Sequence, residues 1–264
     1  MGEKKGNHKD LLIIIPAHNE ENSIANVLDQ LRSSEIKQIA DVLIMNDASS
    51  DRTEQIISQY SISTVNVVFN LGYGSAIQLG YKYALRNGYD YVIQMDADGQ
   101  HDVCNIPRIY EALKTKDADG HCPDIVLASR FMEDSAPFRV SVAKKIAFRL
   151  FRRLIYFATK RIIYDPTTGL QGLNRKTLEY YAGFDHFDDR YPDANMILRM
   201  LMKGYHLNEI PAVMHQRESG TSMFSGLKPV VYMIRMTGAI IAVYFSEKHN
   251  THKEQKNSKD LIIS

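Results

Sequence analysis

Two carboxylates one residue apart, Asp96 and Asp98, close the apolar run Tyr91-Val-Ile-Gln-Met95. In an extended backbone both point to the same side, because side chains alternate with a period of two, so their oxygens can converge on one cation. Hard oxygen donors suit Mg²⁺ or Mn²⁺, ions that keep several waters and complete their shell with substrate phosphates. The stretch therefore points to metal-assisted chemistry on a phosphorylated substrate. Asp-x-Asp is equally ordinary turn chemistry, and Asp98-Gly99 is a favourable turn dipeptide. The pair needs support from the rest of the chain.

Such a pair must be held by a scaffold, and the scaffold is legible. Short apolar runs rich in Val and Ile recur at Leu11 to Ile15, Val42 to Met45, Val65 to Phe69, Tyr91 to Met95 and Ile125 to Ala128. They read as buried strands. Helix-like segments lie between them, at Asn22 to Leu31, Arg52 to Tyr60, Ser75 to Arg86 and Ile106 to Leu113. This alternation predicts an α/β fold, a mostly parallel sheet with flanking helices, whose ligands gather at the carboxyl ends of the strands. Polar clusters follow all five strands: Pro16-Ala-His-Asn19-Glu20, Asn46-Asp47-Ala-Ser-Ser-Asp51, Asn70-Leu-Gly72-Tyr-Gly74, Asp96-Ala-Asp98 and Ser129-Arg130. Singly, Asn19, Ser50 and Asp51 are also good helix caps, and Gly72 and Gly74 also serve tight turns. Gly72-x-Gly74 lacks the third glycine of the dinucleotide fingerprint, which disfavours a nicotinamide cofactor.

Composition sets outer bounds. The 264 residues are 44% hydrophobic, enough for one large domain or a domain with an appendage. Lys plus Arg total 32 against 31 for Asp plus Glu, so the basic excess of a nucleic-acid binder is lacking. The two cysteines, Cys104 and Cys122, have neither metal spacing nor a disulfide framework. With a polar N-terminus and no long apolar core behind it, the expected location is cytoplasmic. Gly6 stands where a myristoylation signal needs Ser or Thr.

From about 139 to 164 the texture changes. Ala143, Ile146, Ala147, Leu150, Phe151, Leu154, Ala158 and Ile162 form an apolar stripe at helical spacing, with Lys144, Lys145, Arg149, Arg152, Arg153, Lys160 and Arg161 around it. Such a helix either packs on a core with a solvated basic face or lies in an anionic membrane interface. Each cation gains about 1 kcal/mol near anionic headgroups, which favours the membrane. Leu227 to Phe245 is mostly apolar but interrupted by Lys228, Pro229, Arg235 and Gly238. It reads as one or two interfacial helices, followed from Ser246 by a polar tail expected to lack fixed structure. The expected domains are 1–224, containing the basic helix, and 225–264.

Taken in order, these segments resemble the inverting glycosyltransferases of family 2, in particular the polyisoprenyl-phosphate glycosyltransferases. The likeness runs from Leu11 to about Ser222. Pro16-Ala-His-Asn19-Glu20 is similar to the family's Pro-x-x-Asn-Glu, and Asn46-Asp47-Ala-Ser-Ser-Asp51 to its Asp-Asp-Gly-Ser-x-Asp, with Asn46 departing from the usual first acid. Asp96-Ala-Asp98-Gly-Gln100 matches Asp-x-Asp-x-Gln, and Ala128-Ser129-Arg130 resembles Gly-Ser-Arg. Asp165-Pro-Thr167-Thr168-Gly169 resembles the acceptor-side Asp-x-Thr-Ser-Gly, and Arg217-Glu-Ser-Gly220-Thr221-Ser222 resembles Arg-x-x-Gly-x-Ser.

The resemblance implies a glycosyltransferase A-type fold with amphipathic membrane-surface helices. It assigns Pro16, Ala17, Asn19, Glu20, Asp47, Gly72, Asp96 and Ala97 to the nucleotide, and Asp96, Asp98 and Gln100 to Mg²⁺ or Mn²⁺. Asp165, Thr167, Thr168, Gly169 and Ser222 fall to the acceptor, and Asp98, Arg130, Asp193 and Arg217 to catalysis. The implied reaction moves a hexose or N-acetylhexosamine from a UDP- or GDP-sugar to a polyisoprenyl phosphate on the inner membrane face, with a small membrane protein or a second copy as further partner. A lipid phosphate is already anionic and attacks without a strong base. A sugar hydroxyl on a lipid-linked glycan would instead need Asp193 as general base, although Asp193 also reads as a helix N-terminal acid. A non-catalytic nucleotide-binding membrane scaffold is the alternative from another class. A nucleotidyltransferase is disfavoured, because no Gly-rich, Lys-containing loop follows the first strand.

Overall fold

The computed structural model describes residues 9–138, 140–216 and 228–263. Its elements run β1 (Leu11–Ala17), α1 (Ile24–Leu31), α2 (Ser34–Ile39), β2 (Ala40–Asn46), α3 (Thr53–Ile57), β3 (Ser63–Asn66), α4 (Tyr73–Arg86), β4 (Tyr91–Gln94), α5 (Asn105–Lys114), β5 (Ile125–Ser129), α6 (Val142–Thr159), β6 (Gln171–Asn174), α7 (Arg175–Tyr181), α8 (Ala194–Met202), β7 (Leu207–Pro211) and α9 (Lys228–Ile263). Two compact units emerge, one of residues 9–138, 168–192 and 206–216, the other of 140–167, 193–205 and 228–263. The basic helix α6 thus groups with α8 and α9.

The first unit holds a seven-stranded sheet of order β3-β2-β1-β4-β6-β5-β7. All strands run the same way except β6, which pairs antiparallel with β4 and β5. β1 is buried along its whole length, as its unbroken Leu and Ile run requires of a strand covered on both faces. Ile24, Val27, Leu28 and Leu31 of α1 recur at helical spacing and join Ile13, Ile15, Ile44 and Ile93 in the core. The expected strand at Val65 to Phe69 is corrected: β3 ends at Asn66, and Val68 and Phe69 are exposed. β-propensity persists there after the pairing partner has ended, since β2 itself finishes at Asn46 opposite Asn66.

In the second unit, Ser141 caps α6 by accepting the Lys144 N–H, and the helix ends at Lys160 in a left-handed conformation. Phe148, Phe151 and Ile155 are buried while Ile146, Phe157 and Ile162 are exposed. α9 is one continuous helix of 36 residues, so the tail expected to lack fixed structure is instead helical to Ile263. Along it Tyr232, Met236, Ile240 and Val243 are buried, whereas Ile234, Ile241 and Phe245 are exposed. Within it, Val230–Asn250 is long and apolar enough to cross a membrane, and 22% of its most apolar window is buried.

Candidate active site

The parallel strands of the first unit bring their carboxyl ends to one edge, and the loops there interlock. Asn19 Oδ1 accepts the Ser50 N–H at 2.7 Å and the Asp51 N–H at 3.3 Å, while the Glu20 N–H donates to Thr53 Oγ1 at 2.8 Å. The Asp51 carboxyl is held below its usual range: burial pushes it up, but the Thr53 hydroxyl, the Thr53 N–H and the Glu21 N–H outweigh burial. His18 bridges the loops, with Nδ1 2.6 Å from Asp47 O and 3.2 Å from the Asn70 amide nitrogen. Asp47 is buried, and its two oxygens accept the N–H groups of Leu71 at 2.7 Å and Gly72 at 3.0 Å. It therefore orders the loop ahead of α4, and any base N–H would have to use its second lone pairs.

Asn46, at the position where the family has an acid, is also buried. It donates to Asn66 Oδ1 at 2.9 Å, and Asn66 donates to Glu54 Oε1 at 3.1 Å. An acid at 46 could not supply that amide N–H. Ala48, where the family pattern has glycine, sits at φ 52, a strained left-handed conformation for a side chain with a Cβ. Pro16 and Ala17 lie within β1, where Ala17 O accepts the Asp47 N–H at 2.8 Å.

The aspartate pair differs in backbone from the expectation. β4 ends at Gln94 and the chain turns through Ala97 and Asp98, so strand alternation does not orient the two acids. Asp98 Oδ1 accepts the Gln100 N–H at 3.0 Å, so the turn reading also holds. Asp96 is instead fixed by a directed relay. Tyr81 donates to Gln94 Oε1 at 2.6 Å, Gln94 Nε2 donates to the Tyr73 hydroxyl and to Gly169 O, both at 3.1 Å, and Tyr73 donates to Asp96 Oδ1 at 2.8 Å. Each donor is spoken for, so Asp96 is the terminal acceptor of the relay.

On the other side, the Asp96 N–H donates to His101 Nδ1 at 3.0 Å, which places the ring proton on Nε2, 3.7 Å from Asp96 Oδ2. Residues 100–102 bind residues 213–215 through a bridge between His101 and Met214 and a 2.8 Å bond from His215 N–H to Gln100 O. His215 also lies 2.8 Å from Asp102. The Asp102 carboxyl sits below its usual range because Cys104 and His215 donate to it and overcome burial.

Gly169 keeps one face of Asp96 open, since a Cβ there would lie 2.6 Å from Asp96 Oδ2. Its loop is pinned by Thr168, whose buried hydroxyl donates to Ala128 O at 2.8 Å. Asp96 and Gly169 thus come together although 72 residues separate them in the chain. An oxygen-rich pair beside a space that a methyl group would fill suits a hard divalent ion, with Asp96, Asp98 and Gln100 as the donors on hand. The Arg130 guanidinium lies over the rings of Phe131 and Phe138, 5.4 and 5.7 Å from their centroids.

Of the acceptor-side residues, Asp165 and Thr167 lie in the second unit, as does Asp193. Asp165 is buried and accepts the Thr167 hydroxyl at 3.3 Å. Asp193 stands at the N-cap of α8 without a side-chain capping bond, and its Oδ2 accepts the Tyr232 hydroxyl at 2.6 Å. A groove of about 520 Å³ is rimmed by Arg152, Arg153 and Lys160 and walled in part by Tyr156, Phe157 and Tyr164. Arg217 and Ser222 lie outside the described residues.

Tyr73, Tyr81 and Gln94 were not singled out as site residues from sequence. Gln94 had a signal, a lone amide in an apolar strand, and it is buried at 2% exposure. Tyr73 and Tyr81, eight residues apart on α4, had none.

Known proteins share this sequence pattern and fold. Residues 12–181 match the sequence model of Glycosyl transferase family 2, more than half of the chain. An undecaprenyl-phosphate mannosyltransferase of Micrococcus luteus is 29% identical over 82% of this chain and 88% of that protein. A dolichyl-phosphate hexose transferase of Haloferax volcanii is 25% identical over 81% and 86%. The structure of glucosyl-3-phosphoglycerate synthase from Mycobacterium tuberculosis, with Mn²⁺, UDP and glucosyl-3-phosphoglycerate, superposes with a TM-score of 0.61 at 18% identity, covering 90% of this chain and 80% of that one. Sequence match and shared architecture lead to one conclusion: the chain belongs to glycosyl transferase family 2 and is a glycosyltransferase with the A-type fold.

Proposed function

We propose that the protein is an inverting, metal-dependent transferase that moves a hexose or N-acetylhexosamine from a UDP- or GDP-sugar to a polyisoprenyl phosphate. The observation that carries the donor half is Asp96, held as an acceptor by the Tyr81–Gln94–Tyr73 relay beside the opening at Gly169. Asp96, Asp98 and Gln100 would hold Mg²⁺ or Mn²⁺, which when bound offsets the charge of the departing diphosphate. Pro16, Ala17, Asn19, Glu20, Asp47, Gly72 and Ala97 frame the nucleotide, and Arg130 and Arg217 add positive charge towards its phosphates. A phosphate oxygen of the lipid forms the new bond to the anomeric carbon. The bond to the nucleoside diphosphate breaks with its electron pair, inverting the centre. No proton need be removed. Asp165, Thr167, Gly169 and Ser222 are the residues assigned to the acceptor, and Thr168 orders the loop of the first three.

The second unit supports a lipid acceptor. Its groove pairs cations with aromatic walls, complementary to an anionic headgroup on an apolar chain, and α6, the loop after it and α9 expose Ile146, Phe157, Ile162, Ile234, Ile241 and Phe245. α9 is tied to α8 and its N-cap at both ends of a 16-residue stretch. Tyr232 meets Asp193, and buried Glu247 lies 3.5 Å from Arg199 and 3.2 Å from Lys203. A helix packed in this way favours lying on the cytoplasmic membrane face over crossing it alone.

Purified protein with candidate UDP- and GDP-sugars, Mg²⁺ or Mn²⁺ and undecaprenyl phosphate in vesicles tests the proposal. A glycolipid is expected, and Asp98→Ala should abolish it while the fold persists. No glycolipid with authentic donor would sink the lipid-phosphate acceptor, and turnover retained in Asp98→Ala would remove the metal assignment. If the acceptor is a sugar hydroxyl, Asp193→Asn becomes inactive.

A further inference from the structure

A second group of metal-ligating side chains lies on the opposite edge of the sheet. Asp117, His121 and His206 are all exposed, and one donor atom from each falls within 4.8 Å of the others. Asp117 and His121 belong to the loop that enters β5, and His206 immediately precedes β7. β5 and β7 are parallel, with Ile125 opposite Leu207, so these residues meet at the amino ends of the strands. Asp96 and its neighbours follow a carboxyl end. A five-residue strand separates the two edges by roughly 17 Å.

Both platforms are built before any ligand arrives. The 117–121 loop is closed by the Asp117 N–H to His121 O at 2.9 Å and the Gly120 N–H to Asp117 O at 3.1 Å. Asp117 Oδ1 accepts the N–H groups of Asp119 at 3.0 Å and His121 at 2.9 Å. The His206 backbone is clamped by Asp124: its N–H donates to Asp124 Oδ2 at 2.9 Å, and its carbonyl accepts from Asp124 N–H at 2.7 Å and Ile125 N–H at 3.1 Å. The two imidazoles stack with centroids 4.9 Å apart and planes 28° apart. Among the described residues, neither ring makes a hydrogen bond through its nitrogens. The adjacent Cys122 thiol donates to Lys114 O at 3.3 Å and is not in the donor set.

We infer that Asp117, His121 and His206 bind a borderline divalent cation of the Zn²⁺, Ni²⁺ or Cu²⁺ class. Two imidazoles and one carboxylate suit those ions and not Mg²⁺, which takes oxygen donors. Tetrahedral bonds of about 2.05 Å need donor atoms roughly 3.3 Å apart, so exposed side chains on fixed backbones need to close by about 1.5 Å at most. Three protein donors leave a coordination position to solvent. The ion would tie the β5 entry loop to the start of β7, and this site is independent of the donor-sugar site.

Calorimetric titration of Zn²⁺ into the untagged full chain, with excess Mg²⁺ present, tests the assignment. One Zn²⁺ per chain is expected, and Co²⁺ should give visible d–d bands without a thiolate charge-transfer band. His121→Ala and His206→Ala should each weaken binding by more than about tenfold, with apo thermal unfolding unchanged, and Asp98→Ala should leave the Zn²⁺ isotherm as it is. No binding by the wild type, or isotherms unaltered in both histidine variants, overturns the site. A thiolate band would overturn the donor set.

Discussion

Gly169→Ala separates the geometry of the active site from the stability of the fold. The new Cβ would lie 2.6 Å from Asp96 Oδ2 and 3.3 Å from Asp96 Cγ. Ordinary carbon–oxygen contact requires the carboxylate to retreat by roughly 0.8 Å. Asp96 can do so only by stretching or rotating the 2.8 Å bond from Tyr73. Misplacement by about 1 Å costs on the order of 100-fold in rate, or about 2.7 kcal/mol of transition-state stabilisation. The fold should hardly notice, because the obstructing atom is a side chain and Gly169 lies outside the positive-φ region. Restricting the unfolded chain even returns about 0.4–1 kcal/mol. Gly74→Ala is the contrast: its Cβ would lie 2.2 Å from Asp188 O and 2.6 Å from the Asp189 carbonyl carbon, which are backbone atoms. It should destabilise by about 1–3 kcal/mol. Initial rates of sugar transfer and thermal unfolding are measured on both variants. A Gly169→Ala enzyme within about threefold of wild-type rate, or one whose melting temperature falls as far as that of Gly74→Ala, refutes the reasoning.

Tyr73→Phe deletes the donor to Asp96 and the acceptor of Gln94, and a bond to a charged group is worth about 1.5–3 kcal/mol, so kcat/KM should fall about 10- to 100-fold in the same assay. Ala48→Gly relieves left-handed strain of about 1–2 kcal/mol, less the entropy glycine adds to the unfolded chain, so the melting temperature should rise by a few degrees. Asp124 is held below its usual range because the His206 N–H, the Asn174 amide and Lys176 outweigh the opposing burial. Its stabilisation is therefore complete above an unfolded carboxyl's pKa of about 3.9 and lost as pH falls through the lower folded value. Asp124→Asn should lower the melting temperature at pH 7, and the gap from wild type should close in acid.

Local pattern was enough for most of the scaffold. The apolar runs at β1, β2, β4 and β5 were readable because strands covered on both faces demand unbroken Val, Ile and Leu, and α1, α3, α4 and α5 were readable between them, whereas α2 was not anticipated. β6 and β7 were not anticipated. Gln171-Gly-Leu-Asn has neither alternation nor a sustained apolar run, and it is a strand because β4 and β5 flank it. β3 was shifted for the complementary reason, since Val67 to Phe69 have the propensity but no partner strand.

The candidate site divides along the same line. Sequence by itself determined which acids and amides, together with Arg130, end up on one sheet edge, because parallel strands must deliver their carboxyl ends together. It could not decide how Asp96 is aimed. That depended on Tyr73 and Tyr81 from α4, Gln94 from β4 and Gly169 from a loop 72 residues away, contacts set by packing between distant segments. Nor could it show that Asp47 is spent on the 70–72 loop, or that Asp193 meets Tyr232. Residue types and spacing set the available chemistry, whereas the direction of each lone pair belongs to the tertiary structure, where a hydrogen bond forms only between groups that the fold has brought within about 3 Å.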